Sequence, residues 1–173
     1  MSDKVFRNII KTKAGIKVIE EIFKMITGIK VKIEPKNDEI KVTNKYIKGK
    51  RVDLLSEDKK KVLNLEVNNN GKADLVRNMT YLFSIFINNI MSGKNYNLKK
   101  TFYQINFSYR SKLRKIMSEY GVYELIEGIN ILPMLKMIEF DMVKIRNVCY
   151  NNDVKGIDKL YRYIGMLLQI KNY

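Results

Sequence analysis

Asp53, Glu66 and Asn68 are the residues whose types and spacing could do chemistry. Residues 51–55 read as a strand that puts Asp53 on the face opposite Val52 and Leu54, and the charged stretch 56–61 reads as a turn. Residues 62–68 then alternate, with Leu63, Leu65 and Val67 on one face and Asn64, Glu66 and Asn68 on the other. A hairpin centred near Lys59 and Lys60 sets Asp53 across the ladder from Glu66. Facing positions on paired strands hold their Cβ atoms roughly 4.5–5.5 Å apart, and like charges there repel. Two carboxylates held together call for a retained proton or a cation between them. A divalent, oxygen-seeking ion that keeps several waters suits such a pair.

Other elements must position that hairpin. Residues 16–26 carry Ile16, Ile19, Ile22, Phe23 and Ile26 at helical spacing, and Gly28 is a natural stop. Residues 29–34 and 39–46 alternate as strands around turn chemistry at 35–38. Residues 68–71, three asparagines and a glycine, read as a turn. Residues 73–92 read as a long helix whose wide apolar stripe predicts burial against a sheet. Residues 101–108 read as the next strand. Helices are expected over 112–120, over 134–148 behind Pro133, and over 157–170.

Composition bounds the rest. The chain has 173 residues, 46% hydrophobic and 29% charged, which fits one globular domain. We expect a core over about 14–110 and a helical cover over about 111–173. No run of about 18 apolar residues offers a membrane span. The first residues carry charge without a long apolar core, which argues against a secretory signal. Cys149 is the only cysteine, so no internal disulfide or cysteine-based zinc site is available, and a reducing, cytoplasmic setting is expected. There is no histidine, which removes histidine triads and histidine metal sites together. The net charge of +15 is uneven. Residues 1–72 hold 18 basic against 10 acidic residues, residues 73–115 hold 8 against 1, and residues 116–173 hold 7 of each. A basic face of this kind favours polyanions, although a lysine-rich composition alone would produce the same count.

Basic residues cluster around the candidate acids. Lys50 and Arg51 lead into Asp53 and could contact phosphates, or could belong to a solvated loop. Lys72 follows the second strand and could reach back towards it. Arg77 and Tyr81 lie one helical turn apart near Asn68, and Arg77 could equally pair with Asp74. Lys94, Lys99 and Lys100 begin an acid-free basic run, interleaved with Tyr96, Phe102, Tyr103 and Tyr109, that could track a nucleic-acid strand or be half core.

Asp53, the 66–68 triplet (EVN) and the long helix after them resemble the PD-(D/E)XK nuclease core. More narrowly the chain resembles the recombination-promoting nuclease (Rpn/YhgA-like) family, a transposase-like group. The similarity continues through residues 77–81 (RNMTY), 92–98 (SGKNYNL) and 102–107 (FYQINF), and reaches 5–7 (VFR) and 135–140 (LKMIEF). The resemblance implies an α/β (α+β) fold with an αβββαβ mixed sheet and added C-terminal helices. It implies a metal-dependent DNA endonuclease, with Asp53, Glu66 and the Val67 carbonyl holding Mg²⁺ or Mn²⁺. It puts Arg77 on a phosphate with Tyr81 beside it, and Glu20 as a candidate accessory acid on the first helix. The third motif position is normally lysine, and often glutamine in the narrower family, whereas this chain has Asn68. That departure keeps a second expectation open. A catalytically degenerate binding protein could retain the scaffold, for example as a phage- or plasmid-encoded inhibitor of a nucleoprotein defence complex such as CRISPR-Cas. The expected partners are therefore DNA, in preference to RNA, or a nucleoprotein complex, and the apolar stripes of the C-terminal third could cover the sheet or make a homodimer contact.

Overall fold

The computed structural model describes residues 3–35, 39–40, 50–51, 53–72, 74–91, 100–151 and 158–169. Two helices open the chain, α1 (Asp3–Ile10) and α2 (Lys13–Thr27). The Thr12 hydroxyl caps α2 by accepting from the Gly15 N–H at 3.0 Å, and Gly28 closes it in the left-handed conformation that glycine adopts without strain. Gly15 is also where the two helices touch. A Cβ there would lie 2.0 Å from the Ile9 carbonyl oxygen, a backbone atom with little room to move. Gly15→Ala should therefore cost about 2 kcal/mol or more in denaturant unfolding despite alanine's helix propensity; an unchanged midpoint would contradict the close approach.

Two short strands, β1 (Glu39–Ile40) and β2 (Lys50–Arg51), pair with each other. The main sheet has five strands: β3 (Leu54–Glu57), β4 (Lys61–Lys72), β5 (Thr101–Arg110), β6 (Met117–Tyr120) and β7 (Leu135–Asp141), in the spatial order β3-β4-β5-β7-β6. β4, β5 and β7 run parallel, and β3 and β6 are antiparallel edges. Helix α3 (Leu75–Met91) makes the crossover from β4 to β5 that parallel pairing demands. Helices α4 (Met142–Asn151) and α5 (Lys159–Leu167) follow. The mixed α/β architecture is as expected, and the hairpin register agrees too: Leu54 pairs with Leu65 and Glu57 with Val62, centring the turn on Lys59 and Lys60.

Helices cover both faces. Leu63, Leu65, Val67, Ile105, Phe107 and Phe140 pack against α1, α2, α4 and α5. Phe23 meets Tyr103 edge-on at 4.8 Å, and Phe107 stacks on Phe140 at 5.5 Å. Under α3 the sheet is apolar only towards the start of its parallel strands, where Val62, Phe102, Leu135 and Met137 meet Leu82 and Ile85.

Several expectations change. Residues 29–34 are not a strand of the sheet; they run beside β3 and make one bridge, from Pro35 to Ser56. Of the strand expected over 39–46, only Glu39–Ile40 falls among the described residues. The strand expected over 51–55 is interrupted at Asp53, which lies in a bend. Residues 68–71 are not a turn, because β4 runs on to Lys72 through a register shift against β5. The opening helix α1 had no counterpart in the pattern. The largest change concerns 111–141, where the expected helices are replaced by strands. β6 occupies 117–120, and the segment 134–148 divides into β7 and α4. Leu135, Ile138, Met142 and Ile145 fit helical spacing, but β7 is flanked by β5 and β6 and covered on both faces, so its apolar run does not alternate. Asp141 ends that strand and caps the next helix, its Oδ1 accepting from the Lys144 N–H at 2.9 Å.

Candidate active site

The face of the sheet beneath α3 turns polar towards the carboxyl ends of its parallel strands. Side chains alternate along a strand, so residues in register across the sheet share a face. Glu66 lies beside Asn106, which lies beside Glu139, which lies beside Ser118. One step back along the strands Asn64 lies beside Gln104; one step forward Asn68, Ser108 and Asp141 form a third row. All of these side chains are buried. Amides link part of the seam: Asn64 Nδ2 donates to Gln104 Oε1 at 3.3 Å, and Gln104 Nε2 donates to Asn106 Oδ1 at 3.0 Å.

Asp53 joins this face from the edge. The hairpin register, continued one residue past Leu54 and Leu65, sets it opposite Glu66. Its Oδ2 accepts the Val67 N–H at 2.8 Å, so the carboxylate stands where β3 gives out and occupies the place of a ladder partner. Asp53 is 1% exposed and Glu66 5% exposed. A residue in an extended strand sends its N–H and its carbonyl to the same side. The Val67 carbonyl therefore leaves β4 towards Asp53. Asn68, next on the Glu66 face, donates from Nδ2 to Asn78 Oδ1 on α3 at 3.3 Å. Among the described residues, Asn68 Oδ1 and Asn78 Nδ2 are buried without a hydrogen-bond partner. Either atom could hold a water or a ligand oxygen.

Arg77 and Tyr81 form the outer wall on the first turns of α3. Asp74 precedes the helix and its Oδ1 accepts the Arg77 N–H at 2.9 Å, so this acid serves the backbone of Arg77. The guanidinium carbon sits 6.0 Å from the centre of the Tyr81 ring. Burial raises the pKa of the Tyr81 hydroxyl, and the negative charge of Glu66 raises it further; Arg77 lowers it and Asp53 raises it again. Tyr81 thus lies in the field of both acids.

Asp53, Glu66, Val67, Asn68, Arg77 and Tyr81 are brought together. Other expected members are not. Glu20 lies on α2, which packs against the opposite face of the sheet, and its Oε1 accepts the Ile33 N–H at 2.8 Å. It is half-buried and secures the segment after α2, so the accessory-acid role is withdrawn. Lys100 sits just before β5, at the opposite end of the sheet, roughly 20 Å along the strand from Asn106 at about 3.3 Å per residue. There it makes an ion pair with Glu57 and donates to Asn89 Oδ1 at 3.3 Å. Lys99 lies outside the described residues. For Lys50, Arg51 and Lys72 the backbone positions are described, in β2 and at the end of β4, and their side chains are not.

The alternation did not bring out the seam's inner members, Asn78, Asn106, Ser108 and Glu139. Polar residues at 104, 106 and 108 carry the signal, but aromatics at 102, 103 and 107 dominated that strand. Glu139 was hidden by the helical reading of its segment.

A hard divalent cation fits the donors present. Among the described residues no three carboxylate or cysteine side chains converge. Mg²⁺ is commonly held by one or two carboxylates, with waters and substrate oxygens completing its octahedron. Asp53, Glu66 and the Val67 carbonyl match that demand, with the bare Asn68 Oδ1 beside them. Comparison with protein-family models, curated proteins and solved structures finds no match for this chain.

Proposed function

We propose that this protein is a divalent-metal-dependent endonuclease of PD-(D/E)XK type that hydrolyses DNA phosphodiester bonds at the Asp53–Glu66–Asn68 end of its sheet. The observation that carries the reading is the placement of Asp53. The chain gives up a ladder position so that a buried carboxylate, rather than a backbone carbonyl, meets the Val67 N–H beside Glu66. Two carboxylates on one sheet edge are the oxygen donors that a hard divalent cation takes. The order α2, β3, β4, α3, β5, with the acids beside β3 and on β4, follows the αβββαβ core except for one strand, which has no counterpart in the main sheet among the described residues.

Each residue then has a task. Asp53 and Glu66 would hold the cation with the Val67 carbonyl. When bound, the cation makes an attacking water more acidic and offsets charge on the leaving oxygen. Asn68, steadied by Asn78, orients that water through its free amide oxygen but brings no positive charge. Arg77 at the rim binds a phosphate oxygen of the backbone, a role for which a planar guanidinium is suited. The basic excess of residues 1–115 draws DNA towards this face.

The test is a calorimetric titration of Mg²⁺ and Mn²⁺ into wild type and Asp53→Ala, with plasmid nicking measured on the same samples. We expect heat and nicking in wild type and neither in the variant. A folded wild type that shows neither overturns the enzyme reading. The second reading, a nuclease-fold protein that binds nucleic acid or a nucleoprotein complex without cutting it, would then stand, favoured by the neutral Asn68 in the lysine position.

A further inference from the structure

The hairpin that follows β6 is built firmly yet presents bare hydrocarbon. Ile131 N–H donates to the Val122 carbonyl at 2.9 Å, and Glu124 N–H donates to the Ile129 carbonyl at 2.8 Å. The Glu124 carboxylate closes the tip by accepting the Ile126 and Glu127 N–H groups at 2.8 and 2.6 Å. Gly128 takes the left-handed conformation that completes the turn. On this frame Leu125 is 94% exposed and Ile126 89%, with Tyr123, Ile129 and Ile131 more than half exposed. A contiguous apolar group of this size on an ordered support marks an interaction surface. It adjoins the outer edge of β6, which ends the sheet and pairs with no other described strand.

The charges around β6 indicate what covers it. Lys112, Arg114 and Lys115 precede the strand; from 116 to 135 there are three glutamates and no lysine or arginine. We propose that the β6 edge and its hairpin form a two-fold interface with a second copy of this chain. Antiparallel self-pairing centred on Ser118 brings the basic stretch before β6 towards the partner's acidic hairpin and sets Lys115 diagonal to the partner's Glu119, within reach of a long side chain. An isologous contact uses each such pair twice. Leu125 and Ile126 are its apolar anchors. The two five-stranded sheets become one continuous sheet with both α3 layers on the same side. One consequence rests on the nuclease reading. The two Glu66 residues then lie seven strand spacings apart, roughly 34 Å, about one turn of B-DNA.

Sedimentation velocity of the full chain over a concentration series tests the interface. We expect wild type to sediment at twice the monomer mass. Leu125→Ser with Ile126→Ser should weaken self-association by on the order of tenfold to a hundredfold. Lys115→Glu alone should weaken it too, and adding Glu119→Lys should restore it. A wild type that stays monomeric throughout overturns the proposal and leaves the hairpin to a different protein. So does a dimer indifferent to the tip and charge variants, when circular dichroism shows those variants folded. Mass reads the interface and nicking reads the site, so failure of one is distinct from failure of the other.

Discussion

Glu66→Gln should reduce metal-dependent nicking by about 10³-fold or more while leaving the protein folded. The substitution keeps the size of the side chain and its place beside Asn106, and removes one of two negative charges. Without metal the same change should stabilise the fold, by about 1 kcal/mol, because Asp53 no longer faces a like charge across the hairpin edge. Saturating Mg²⁺ reverses the ranking. A ligand that binds only the folded state stabilises it by RT ln(1 + [L]/Kd), about 2.7 kcal/mol at a hundredfold excess over Kd. Wild type should gain that increment and Glu66→Gln should not. Thermal unfolding of both proteins with and without Mg²⁺ measures the crossing. If Glu66→Gln is less stable than wild type in both conditions, Glu66 is a structural acid, and the metal role fails whatever the nicking assay shows.

The part of this site legible in the sequence was local. The turn centred on Lys59 and Lys60, and the alternation over 62–68, were enough to oppose Asp53 and Glu66 and to direct Asn68 the same way. Interactions between distant segments were not legible. Whether a polar strand face looks to solvent or lies beneath a helix depends on what crosses over it, and α3 crosses over this one. Asn64, Gln104 and Asn106 are therefore buried and linked, although each is typical of an exposed residue. The basic run after residue 93 was grouped by sequence proximity to the helix, but a strand carries its two ends far apart, and Lys100 went with the wrong end. Residues 134–148 misled for a different reason: a strand with neighbours on both sides needs no alternation, and its apolar run matched helical spacing by coincidence.

Glu139 should have the largest effect on stability of any single residue in the seam. It is 0% exposed, and both of its oxygens are engaged: Ser108 Oγ donates to Oε1 at 2.9 Å and the Tyr120 hydroxyl to Oε2 at 3.0 Å. It fastens β5 and the edge strand β6 to β7. Glu139→Ala strands the buried Ser108 hydroxyl and the half-buried Tyr120 hydroxyl and opens a hole beside Asn106, which should cost about 3 kcal/mol, or about 6–12 °C of melting temperature. Glu139→Gln, which keeps one acceptor, should cost about 1 kcal/mol. Tyr120 supplies an independent reading of the same contact. Burial, then the charge of Glu139 and its hydrogen bond, push this hydroxyl up to about 12, whereas a free tyrosine ionises near 10. The folded state holds that proton more tightly than the unfolded chain, so the contribution is fully present below pH ~10 and is lost as pH rises towards about 12. Denaturant unfolding across that window should show wild type losing more stability than Tyr120→Phe. Parallel pH profiles for the two proteins would mean that the hydroxyl and the carboxylate are neighbours without being coupled.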